Sequence, residues 1–373
     1  MRALRPVRVC FLIDELATAG TETQLLALIR RLDRSRVAPY LALLRGDSPA
    51  SRALEPDECP VLRLGVGSLR SPRTALRAAR FLHFLWRERI DVVQTYFPDA
   101  SYFGVPAAWL AGVRHRVRTR NNIGHWLTPL HRRLGRSLNV LTTATVANCA
   151  AARDALLADE RPPADRVWVL ENGVDLERFL AVPPAGDGAA RVGAVANLRP
   201  VKGIDVLVAA AARLPGVTFE VAGEGDQREA LQNQIREGGI QDRFRLPGAR
   251  GDIPGFLAGL DVAVLPSRAE GMSNAVLEHM AAARPLVATA TGATPELIRN
   301  GVDGLLVPPG DADALAAAIR HLLTDRALAR RLGDSARRRA AERYSRTAMV
   351  RRFEEFYTRL VHGAERGGHV RQP

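Results

Sequence analysis

Residues 191–203 read RVGAVANLRPVKG and lead into a helical stretch at 204–213. The first seven residues form a short, mostly apolar strand, and a loop containing Pro200 separates that strand from the helix. Strand, loop and helix in this order form the repeating unit of a parallel sheet with helices on both faces. The free amide groups at the helix start attract an anion, and Lys202 lies beside them. This stretch therefore predicts an α/β fold with an anion-binding loop.

The same alternation of strands and helices runs along the whole chain, on both sides of a proline- and glycine-rich break at 181–190. Before the break, the pattern predicts strands at 7–13, 37–44, 90–96 and 113–119 and helices at 21–32 and 72–89. After the break, it predicts strands at 191–197, 217–222, 243–246, 261–265, 285–288 and 304–307 and helices at 204–213, 227–237, 252–259, 274–282, 313–323 and 326–360.

Two doubly wound domains in tandem account for this pattern. We expect an N-terminal Rossmann-like domain at 1–175 and a C-terminal one at 190–344. A helix at about 345–362 is expected to pack back on the first domain. Such a pair faces an interdomain cleft, and ligands of doubly wound sheets bind at the carboxyl ends of the strands. The functional residues should therefore lie on loops that follow strands.

The composition is that of an ordinary globular protein with a large excess of positive charge. The chain has 373 residues, 47% hydrophobic and 25% charged, and a net charge of +13. No apolar run approaches the roughly 18 residues that a membrane-spanning helix needs. The charge indicates anionic partners, which are phosphates, nucleic acid or an acidic membrane surface. Three widely separated cysteines without metal-ligand spacing suit a reducing compartment, so we expect a cytoplasmic protein.

Lys202 is the only lysine among 53 lysine and arginine residues. The presence of a lysine here is either chance in a chain that otherwise uses arginine, or it indicates that a compact ammonium is needed at this position. Its place on a loop between a strand and a helix favours the second interpretation. An ammonium there suits the two phosphates of a nucleotide sugar and neutralises the leaving group as the bond breaks. We therefore predict that Lys202 contacts phosphate.

A second group of polar residues follows the predicted strand at 261–265 and reads Glu270-Gly271-Met272-Ser273-Asn274. It leads into a helix that carries Glu278. Ser273 or Asn274 can cap that helix, but capping does not explain a glutamate at each end of a loop that contains glycine. Both carboxylates can point into one pocket around the free helix end. Because carboxylates are natural partners of sugar hydroxyls, this group predicts a sugar-binding site.

The spacing Glu270-x7-Glu278, with Leu-Pro-Ser before it and MAAARPLVAT at 280–289 after it, resembles glycosyltransferase family 4, which has the GT-B fold. Other segments are similar to further motifs of the family, namely NGVD at 172–175, GATPELI at 292–298, NGVDGLLVPPGD at 300–311 and GTE at 20–22. The resemblance spans residues 7 to about 360. Each segment alone is a weak signal, and the specificity lies in their combination.

The resemblance implies that Glu278 holds the ribose of a nucleotide-sugar donor. It also implies that Glu270 and the amides of Met272 to Asn274 hold the sugar, and that Lys202 holds the diphosphate. Gly20 belongs to a loop near the donor phosphates and the acceptor, and Gly248 and Arg250 lie where the nucleobase loop would be. The full set of predicted donor-binding residues is Gly20, Asn197, Arg199, Lys202, Gly248, Arg250, Glu270, Gly271, Met272, Ser273, Asn274 and Glu278.

One position departs from the family pattern. Where the family usually has an arginine five residues before the lysine, this chain has Asn197. Either Arg199, two residues further on, supplies the missing charge, or the grip on the phosphates is weaker.

The implied reaction is transfer of the sugar with retention at the anomeric carbon, with the leaving phosphate helping to deprotonate the acceptor hydroxyl. Lys202, Glu270 and His125 are the predicted catalytic residues. The only metal-binding pattern of interest is Asp311-Ala312-Asp313, but it follows Pro308-Pro309-Gly310 and opens a helix, which favours capping. We therefore expect neither a metal requirement nor another cofactor beyond the nucleotide-sugar co-substrate.

The acceptor side is suggested by a segment without acidic residues between Asp99 and Asp154. This segment contains Arg114, Arg116, Arg118, Arg120, Arg132, Arg133 and Arg136, together with Trp109, Trp126, His115, His125 and His131. Such a mixture suits an anionic membrane surface or the phosphates of a lipid-linked acceptor, and a merely solvated basic face is the alternative. Arg120, Asn122 and His125, on the turn after a strand, are the predicted acceptor-side residues. His125 resembles the acceptor-side histidine of the family, although a lone histidine is more often structural.

The favoured function is a retaining glycosyltransferase that uses a nucleotide-diphosphate sugar and a lipid-linked or glycan acceptor at the inner face of the membrane. A nucleotide-sugar epimerase of the same fold would use similar phosphate and ribose contacts but release a free sugar. A basic nucleic-acid-binding protein is suggested by charge alone, without any recognised nucleic-acid-binding motif. The glutamates of the loop would repel phosphate strands, so we expect no nucleic-acid partner.

Overall fold

The computed structural model describes residues 5–46, 48–124, 127–183 and 190–363. The chain divides into two compact units, one comprising Met1–Asn172 with Thr347–Pro373 and the other Gly173–Arg346. The second unit therefore begins at Gly173, before the proline- and glycine-rich break from which the sequence predicts its start at 190. None of the helices in these described ranges is both long and apolar enough to cross a bilayer.

The first unit is built on a seven-stranded parallel sheet with strand order β3-β2-β1-β4-β5-β6-β7. Its strands are β1 Val7–Ile13, β2 Val37–Leu43, β3 Val61–Arg63, β4 Val92–Tyr96, β5 His115–Arg120, β6 Ala144–Ala147 and β7 Val167–Val169. Its helices are α1 Gly20–Arg31, α2 Pro49–Arg52, α3 Arg73–Arg87, α4 Pro98–Leu110, α5 Pro129–Leu138, α6 Ala150–Asp159 and, from the end of the chain, α14 Arg346–His362.

Strand β1 shows why this sheet is apolar throughout. Successive side chains of a strand point to opposite faces. Phe11 contributes to a core with α1 and α14, while Leu12 contributes to a second core with α3 and α4. Helix α14 brings aromatic side chains into the first core, and the hydroxyl of Tyr357 donates a 2.6 Å hydrogen bond to Oε1 of Gln94 on β4. Burial on both faces is the property that the alternation of strands and helices predicts.

The second unit contains a six-stranded parallel sheet with strand order β10-β9-β8-β11-β12-β13. Its strands are β8 Arg191–Val195, β9 Thr218–Ala222, β10 Phe244–Gly248, β11 Val262–Leu265, β12 Leu286–Thr289 and β13 Leu305–Val307. Its helices are α7 Ile204–Ala212, α8 Arg228–Glu237, α9 Ile253–Ala258, α10 Asn274–Ala281, α11 Thr294–Leu297, α12 Ala312–Thr324 and α13 Arg326–Arg343.

The helical stretch predicted over 326–360 is two helices, α13 and α14. The break lies at Tyr344 and Ser345, where the backbone pairs with Val174 as an isolated parallel bridge. The amide of Val174 donates to the carbonyl of Tyr344 at 2.7 Å, and the amide of Arg346 donates to the carbonyl of Val174 at 3.0 Å. The second of these helices, Arg346–His362, has nearly the bounds predicted for the C-terminal helix at about 345–362, and the helical pattern at 326–360 does not show the break before it, because the partner that binds the backbone there is far away in the sequence.

The order of strands in the second unit reverses between β8 and β11, which are neighbours in the sheet. Loops after such a pair of strands diverge to opposite faces and leave a crevice at the carboxyl end of the sheet. The loop after β8 carries Lys202, and the loop after β11 carries Glu270. The topology thus brings together two loops that lie almost seventy residues apart in the sequence.

Candidate functional site

Backbone packing holds the Lys202 loop against the loop that follows β11. Residues Pro200–Lys202 form a 3-10 turn, and Gly203 at the start of α7 has a left-handed φ of 64°. A Cβ atom at Gly203 would lie 2.1 Å from the carbonyl oxygen of Pro266, so only glycine allows this approach. The amide of Arg268 donates to the carbonyl of Val201 at 2.8 Å.

The side chains of Lys202 and Glu270 meet directly at this junction. The ammonium of Lys202 lies 2.5 Å from Oε1 of Glu270, and the hydroxyl of Ser267 donates to the same oxygen at 2.7 Å. The Glu270 side chain is 8% exposed and that of Lys202 is 25% exposed. The structure therefore places a partly accessible cation and a nearly buried carboxylate at the switch point of the sheet.

The backbone of the Glu270 loop is held from its other side by the segment after β12. The hydroxyl of Thr289 donates to the carbonyl of Ser267 at 2.5 Å, and that of Thr291 donates to the carbonyl of Arg268 at 3.1 Å. Gly292 has a φ of 53°, and a Cβ atom there would lie 1.7 Å from the carbonyl oxygen of Glu270. The motif at 292–298 thus has a physical role, because its first glycine lets the chain approach the Glu270 loop.

Replacement of Gly292 by alanine should displace the Glu270 loop. We expect Gly292→Ala to lose about 2–5 kcal/mol of unfolding free energy, since left-handed strain adds to a clash with backbone. Gly301→Ala is the matched control: Gly301 has a φ of 73°, but a Cβ atom added there would have no neighbour within 4 Å. The control should lose only the strain of about 1–2 kcal/mol. Urea unfolding measures the loss of unfolding free energy in both variants, and titration with the donor measures their affinity. Equal losses in the two variants would contradict this role of Gly292.

Helix α10 begins directly after the Glu270 loop. Ser273 is its N-cap, and its side chain accepts a long hydrogen bond of 3.5 Å from the amide of Val276. Asn274 is the first helical residue, and Gly271 and Met272 connect it to Glu270. Met272 and Ser273 are buried. The capping interpretation of Ser273 is confirmed, and the loop brings backbone amides close to the Lys202–Glu270 pair.

Glu278 lies one turn into α10 and belongs to a different electrostatic environment. Burial raises the pKa of its carboxyl to about 6, although the guanidinium groups of Arg178 and Arg346 oppose this shift. In the part of the chain that the structure describes, Glu278 forms no hydrogen bond or ion pair with Lys202 or Glu270. The structure therefore brings Lys202 and Glu270 into contact, and Glu278 takes no part in that ion pair.

Two arginines near Glu278 were not identified from the sequence. The guanidinium of Arg346 forms an ion pair of 2.6 Å with Asp175, which belongs to the motif at 172–175. Arg178 lies on the next turn of chain and donates to the carbonyl of Gly251 at 3.4 Å. The motif at 172–175 was the sequence signal that could have found Arg346, because its Asp175 is the carboxylate that binds this arginine.

The predicted second basic contact of the donor is exposed. Asn197 and Arg199 both lie on the surface of the loop after β8, and the amide of Arg199 donates to the carbonyl of Asn197 at 2.9 Å. Within the described residues, the guanidinium of Arg199 has neither a hydrogen bond nor an ion pair. Its role in binding phosphate stays a prediction.

The loops after β8, β9 and β10 are packed together through glycines. A Cβ atom at Gly223 would lie 1.9 Å from the carbonyl oxygen of Ala196, and the amide of Gly223 donates to the carbonyl of Gly248 at 2.9 Å. Gly248 has a φ of 91°, and Arg250 forms an exposed ion pair of 3.3 Å with Glu220 on β9. Gly248 and Arg250 thus lie at the same sheet edge as Lys202, and a nucleobase contact stays a prediction.

The Asp-x-Asp pattern at 311–313 serves the start of α12. Asp311 is its N-cap and accepts a 2.8 Å hydrogen bond from the amide of Ala314. Asp313 forms an ion pair with Arg213 at 2.5 Å. The capping interpretation is confirmed. Among the described residues, the structure contains no cluster of three or more histidine, cysteine, aspartate or glutamate side chains that could hold a metal ion.

In the first unit, residues of several loops line a cavity at the carboxyl ends of β4 and β5. Gly20 is the first residue of α1, and the following Thr21 accepts a 3.3 Å hydrogen bond from the side chain of Asn121. The cavity is lined by residues that include Thr21, Tyr102, Arg118, Arg120, Asn121, Asn122 and His131. Asn122 uses its side-chain oxygen to accept a hydrogen bond from the amide of Gly124 at 3.0 Å. His125 and Trp126 lie outside the described residues.

The predicted basic segment is not a single exposed face. Arg118 and Arg120 are buried, and both form ion pairs with the buried Glu160, at 3.0 Å for Nη1 of Arg120. Arg116 donates hydrogen bonds to the carbonyls of Val113 and Leu141. A merely solvated basic face is therefore wrong for Arg118 and Arg120, because the acidic side chain of Glu160, beyond the segment, binds their guanidinium groups.

Comparisons with known proteins agree with this architecture. Residues 18–178 match the model of Glycosyltransferase Family 4, and residues 189–325 match that of Glycosyl transferases group 1. A lipopolysaccharide core biosynthesis glycosyltransferase of Rhizobium meliloti is 35% identical over 40% of this chain and 44% of its own length. Glycogen synthase of Mycobacterium tuberculosis is 32% identical over 76% of this chain and 66% of its own length. The aligned part thus spans less than two thirds of either relative.

Solved structures share the fold over nearly the whole chain. The structure of HepE from Anabaena in complex with UDP superposes with a TM-score of 0.83 at 22% identity and covers 94% of this chain and all of its own. The same protein with UDP-glucose superposes with a TM-score of 0.81. Two doubly wound units with parallel sheets and two consecutive family matches lead to one conclusion: the chain belongs to glycosyltransferase family 4 and has the GT-B fold.

Proposed function

We propose that the protein is a retaining glycosyltransferase. It moves a hexosyl or N-acetylhexosaminyl group from a nucleotide-diphosphate sugar to a lipid-linked or polysaccharide-precursor acceptor at the cytoplasmic face of a membrane. The observation that carries the proposal is the contact of Lys202 with Glu270 at the switch point of the second unit. HepE, which shares the fold, binds UDP and UDP-glucose, and this supports a nucleotide-sugar donor.

The charges of the site suit the parts of such a donor. A diphosphate beside the 25%-exposed ammonium of Lys202 competes with Glu270 for it, since the phosphates carry more negative charge than one carboxylate. Glu270 is then able to accept hydrogen bonds from sugar hydroxyls next to the amides that precede α10. Glu278, a desolvated carboxylate with a raised pKa, is suited to accept hydrogen bonds from the two hydroxyls of a ribose.

The proposed reaction replaces one bond at the anomeric carbon by another on the same face of the sugar. The bond from this carbon to the diphosphate oxygen breaks, and the bond to the acceptor oxygen forms. The acceptor proton moves to the leaving phosphate oxygen. Lys202 stabilises the charge that develops on the diphosphate. Such electrostatic stabilisation is usually the largest single contribution to catalysis. No divalent metal is assigned a role.

A screen of nucleotide-diphosphate sugars by thermal shift tests the donor proposal first. A donor present at 100 times its dissociation constant stabilises the protein by about 2.7 kcal/mol, which raises the melting temperature measurably. The donor found in this way is then incubated with candidate lipid-linked acceptors, with and without EDTA, and the anomeric configuration of the product is read by NMR.

Three results would contradict parts of the proposal. An inverted product would exclude retention, and loss of activity in EDTA would exclude metal independence. Efficient release of a free epimer from the donor without any acceptor would replace the transferase by an epimerase.

A further inference from the structure

Helix α5 in the first unit exposes two leucines on one side. Leu130 is 58% exposed and Leu134 is 40% exposed, and their spacing of four residues places them on the same side of the helix. Arg133 lies between them on that side and is also exposed. Gly135 and Leu138 are the buried residues of α5, so the helix packs on the unit through Gly135 and through its C-terminal end. The helix therefore presents a stripe of two leucines and Arg133 to its surroundings, beside the exposed Pro129, Arg136 and Ser137.

Exposed apolar side chains are concentrated in this region of the described structure. Single exposed leucines are common on protein surfaces, whereas adjacent exposed leucines such as Leu130 and Leu134 indicate a contact surface. Of the nine large hydrophobic side chains that are exposed in the described ranges, seven lie between residues 76 and 140, on or beside α3, α4 and α5. They are Leu76, Trp86, Trp109, Leu110, Leu130, Leu134 and Val140. Helix α4 packs against α5.

The charges around this face favour an anionic partner. No acidic residue occurs between Asp99 and Asp154, so α5 carries none. The carboxylates of Asp159 and Glu160 lie against α5, and both form ion pairs. Asp159 forms ion pairs with Arg120 and Arg132, and the buried Glu160 pairs with Arg120. The guanidinium of Arg133, in contrast, has no hydrogen bond or ion pair within the described ranges of the chain.

We propose that this face of α5 docks on an anionic lipid bilayer. Leu130 and Leu134 enter the boundary between headgroups and acyl chains, and Arg133 binds lipid phosphates, which is how amphipathic surface helices attach to membranes. The inference rests on the proposed function in one respect, since a lipid-linked acceptor gives the docking a purpose: it brings the cavity of the first unit to the membrane that holds the acceptor. His131, which lines that cavity, lies on the same helix.

Vesicle binding of the full chain without donor or acceptor tests the inference. The wild-type protein should sediment with vesicles that contain phosphatidylglycerol, weakly with pure phosphatidylcholine, and less with increasing salt. Leu130→Ser combined with Leu134→Ser should lower the partition coefficient by at least about tenfold. Arg133→Gln should lower it about fivefold and reduce its salt dependence. Thermal melting checks that these surface variants stay folded.

Matched controls are available in the second unit. Leu180 and Val302 are also exposed large hydrophobic residues, and Arg331 is an exposed arginine. Leu180→Ser, Val302→Ser and Arg331→Gln should bind the anionic vesicles like the wild type. Equal losses in the controls, wild-type binding by the double leucine variant, or equal binding to both vesicle types would overturn the inference. Self-association of the wild type that the leucine variant abolishes would assign the face to a second copy instead.

The two proposals fail separately. A protein that binds anionic vesicles through α5 but transfers no sugar supports this inference and overturns the proposed function. A protein that transfers sugar but does not bind vesicles overturns this inference alone.

Discussion

Lys202→Ala should lose most of its transfer activity, about 100- to 1,000-fold in kcat, which is the usual effect of removing one fixed charge or donor from a developing anion. The variant also leaves Glu270, which is 8% exposed, without its cationic partner. An unpaired carboxylate at this depth is costly, so the variant should also be less stable. Lys202→Arg keeps the charge but replaces a compact ammonium by a larger planar group, and much of the activity should still be lost.

Because Lys202 is the only lysine of the chain, its accessibility can be measured without any substitution. An amine-specific reagent can modify only Lys202 and the terminal amine, and mass spectrometry separates the two products. Saturation with the nucleotide sugar should slow the modification of Lys202 and leave the terminal amine unaffected. Glu270→Gln removes the ion pair of 2.5 Å and should speed the modification without donor. A fully active Lys202→Ala, or modification that is indifferent to donor, would remove the phosphate role.

Glu278→Ala should chiefly weaken donor binding. Loss of a hydrogen bond to a charged group costs about 1.5–3 kcal/mol, which corresponds to roughly 10- to 150-fold in the dissociation constant. Isothermal titration with the nucleotide sugar gives this value directly. Glu229→Ala is the matched control, since Glu229 is an exposed glutamate in the first turn of α8. Unchanged donor affinity in Glu278→Ala would contradict the assignment to the ribose.

The raised pKa of Glu278 makes the same contact dependent on pH. Its carboxyl has a pKa of about 6, so it is ionised above pH 6 and becomes protonated below. Only the ionised form accepts hydrogen bonds at both oxygens without a competing proton. Donor affinity of the wild type should therefore fall as the pH is lowered through 6. Glu278→Gln should lose this dependence, and a wild-type curve that is flat between pH 5 and 7 would contradict the prediction.

Folding stability depends on the same group with the opposite sign. The carboxyl of an unfolded glutamate has a pKa near 4.5, so the folded state binds more protons than the unfolded state between pH 4.5 and 6. The contribution of Glu278 to stability therefore decreases as the pH rises through this range. Removing the charge in Glu278→Gln should therefore stabilise the free protein above pH 6, although the same substitution weakens donor binding.

Much of the secondary structure follows from local pattern. The strand β1 at Val7–Ile13 matches its predicted bounds, and β8 and α10 differ from theirs by no more than two residues. Apolar runs bounded by glycine, proline or capping residues produce these elements, and their neighbours along the chain are sufficient to specify them. The long helical stretch at 326–360 shows the limit, because the pairing of Ser345 with Val174 that divides it is not local.

The sequence by itself determined the α/β class, the strands and helices, and the two loops on which Lys202 and Glu270 lie, because each depends on residues that are close along the chain. Only the tertiary structure decided which side chains meet. Lys202 pairs with Glu270 because β8 and β11 are neighbours in the sheet, and Arg118 and Arg120 are neutralised by Glu160 from beyond the acid-free segment. The order of the strands and the burial of the side chains determine which charged groups pair, and local sequence patterns do not contain this information.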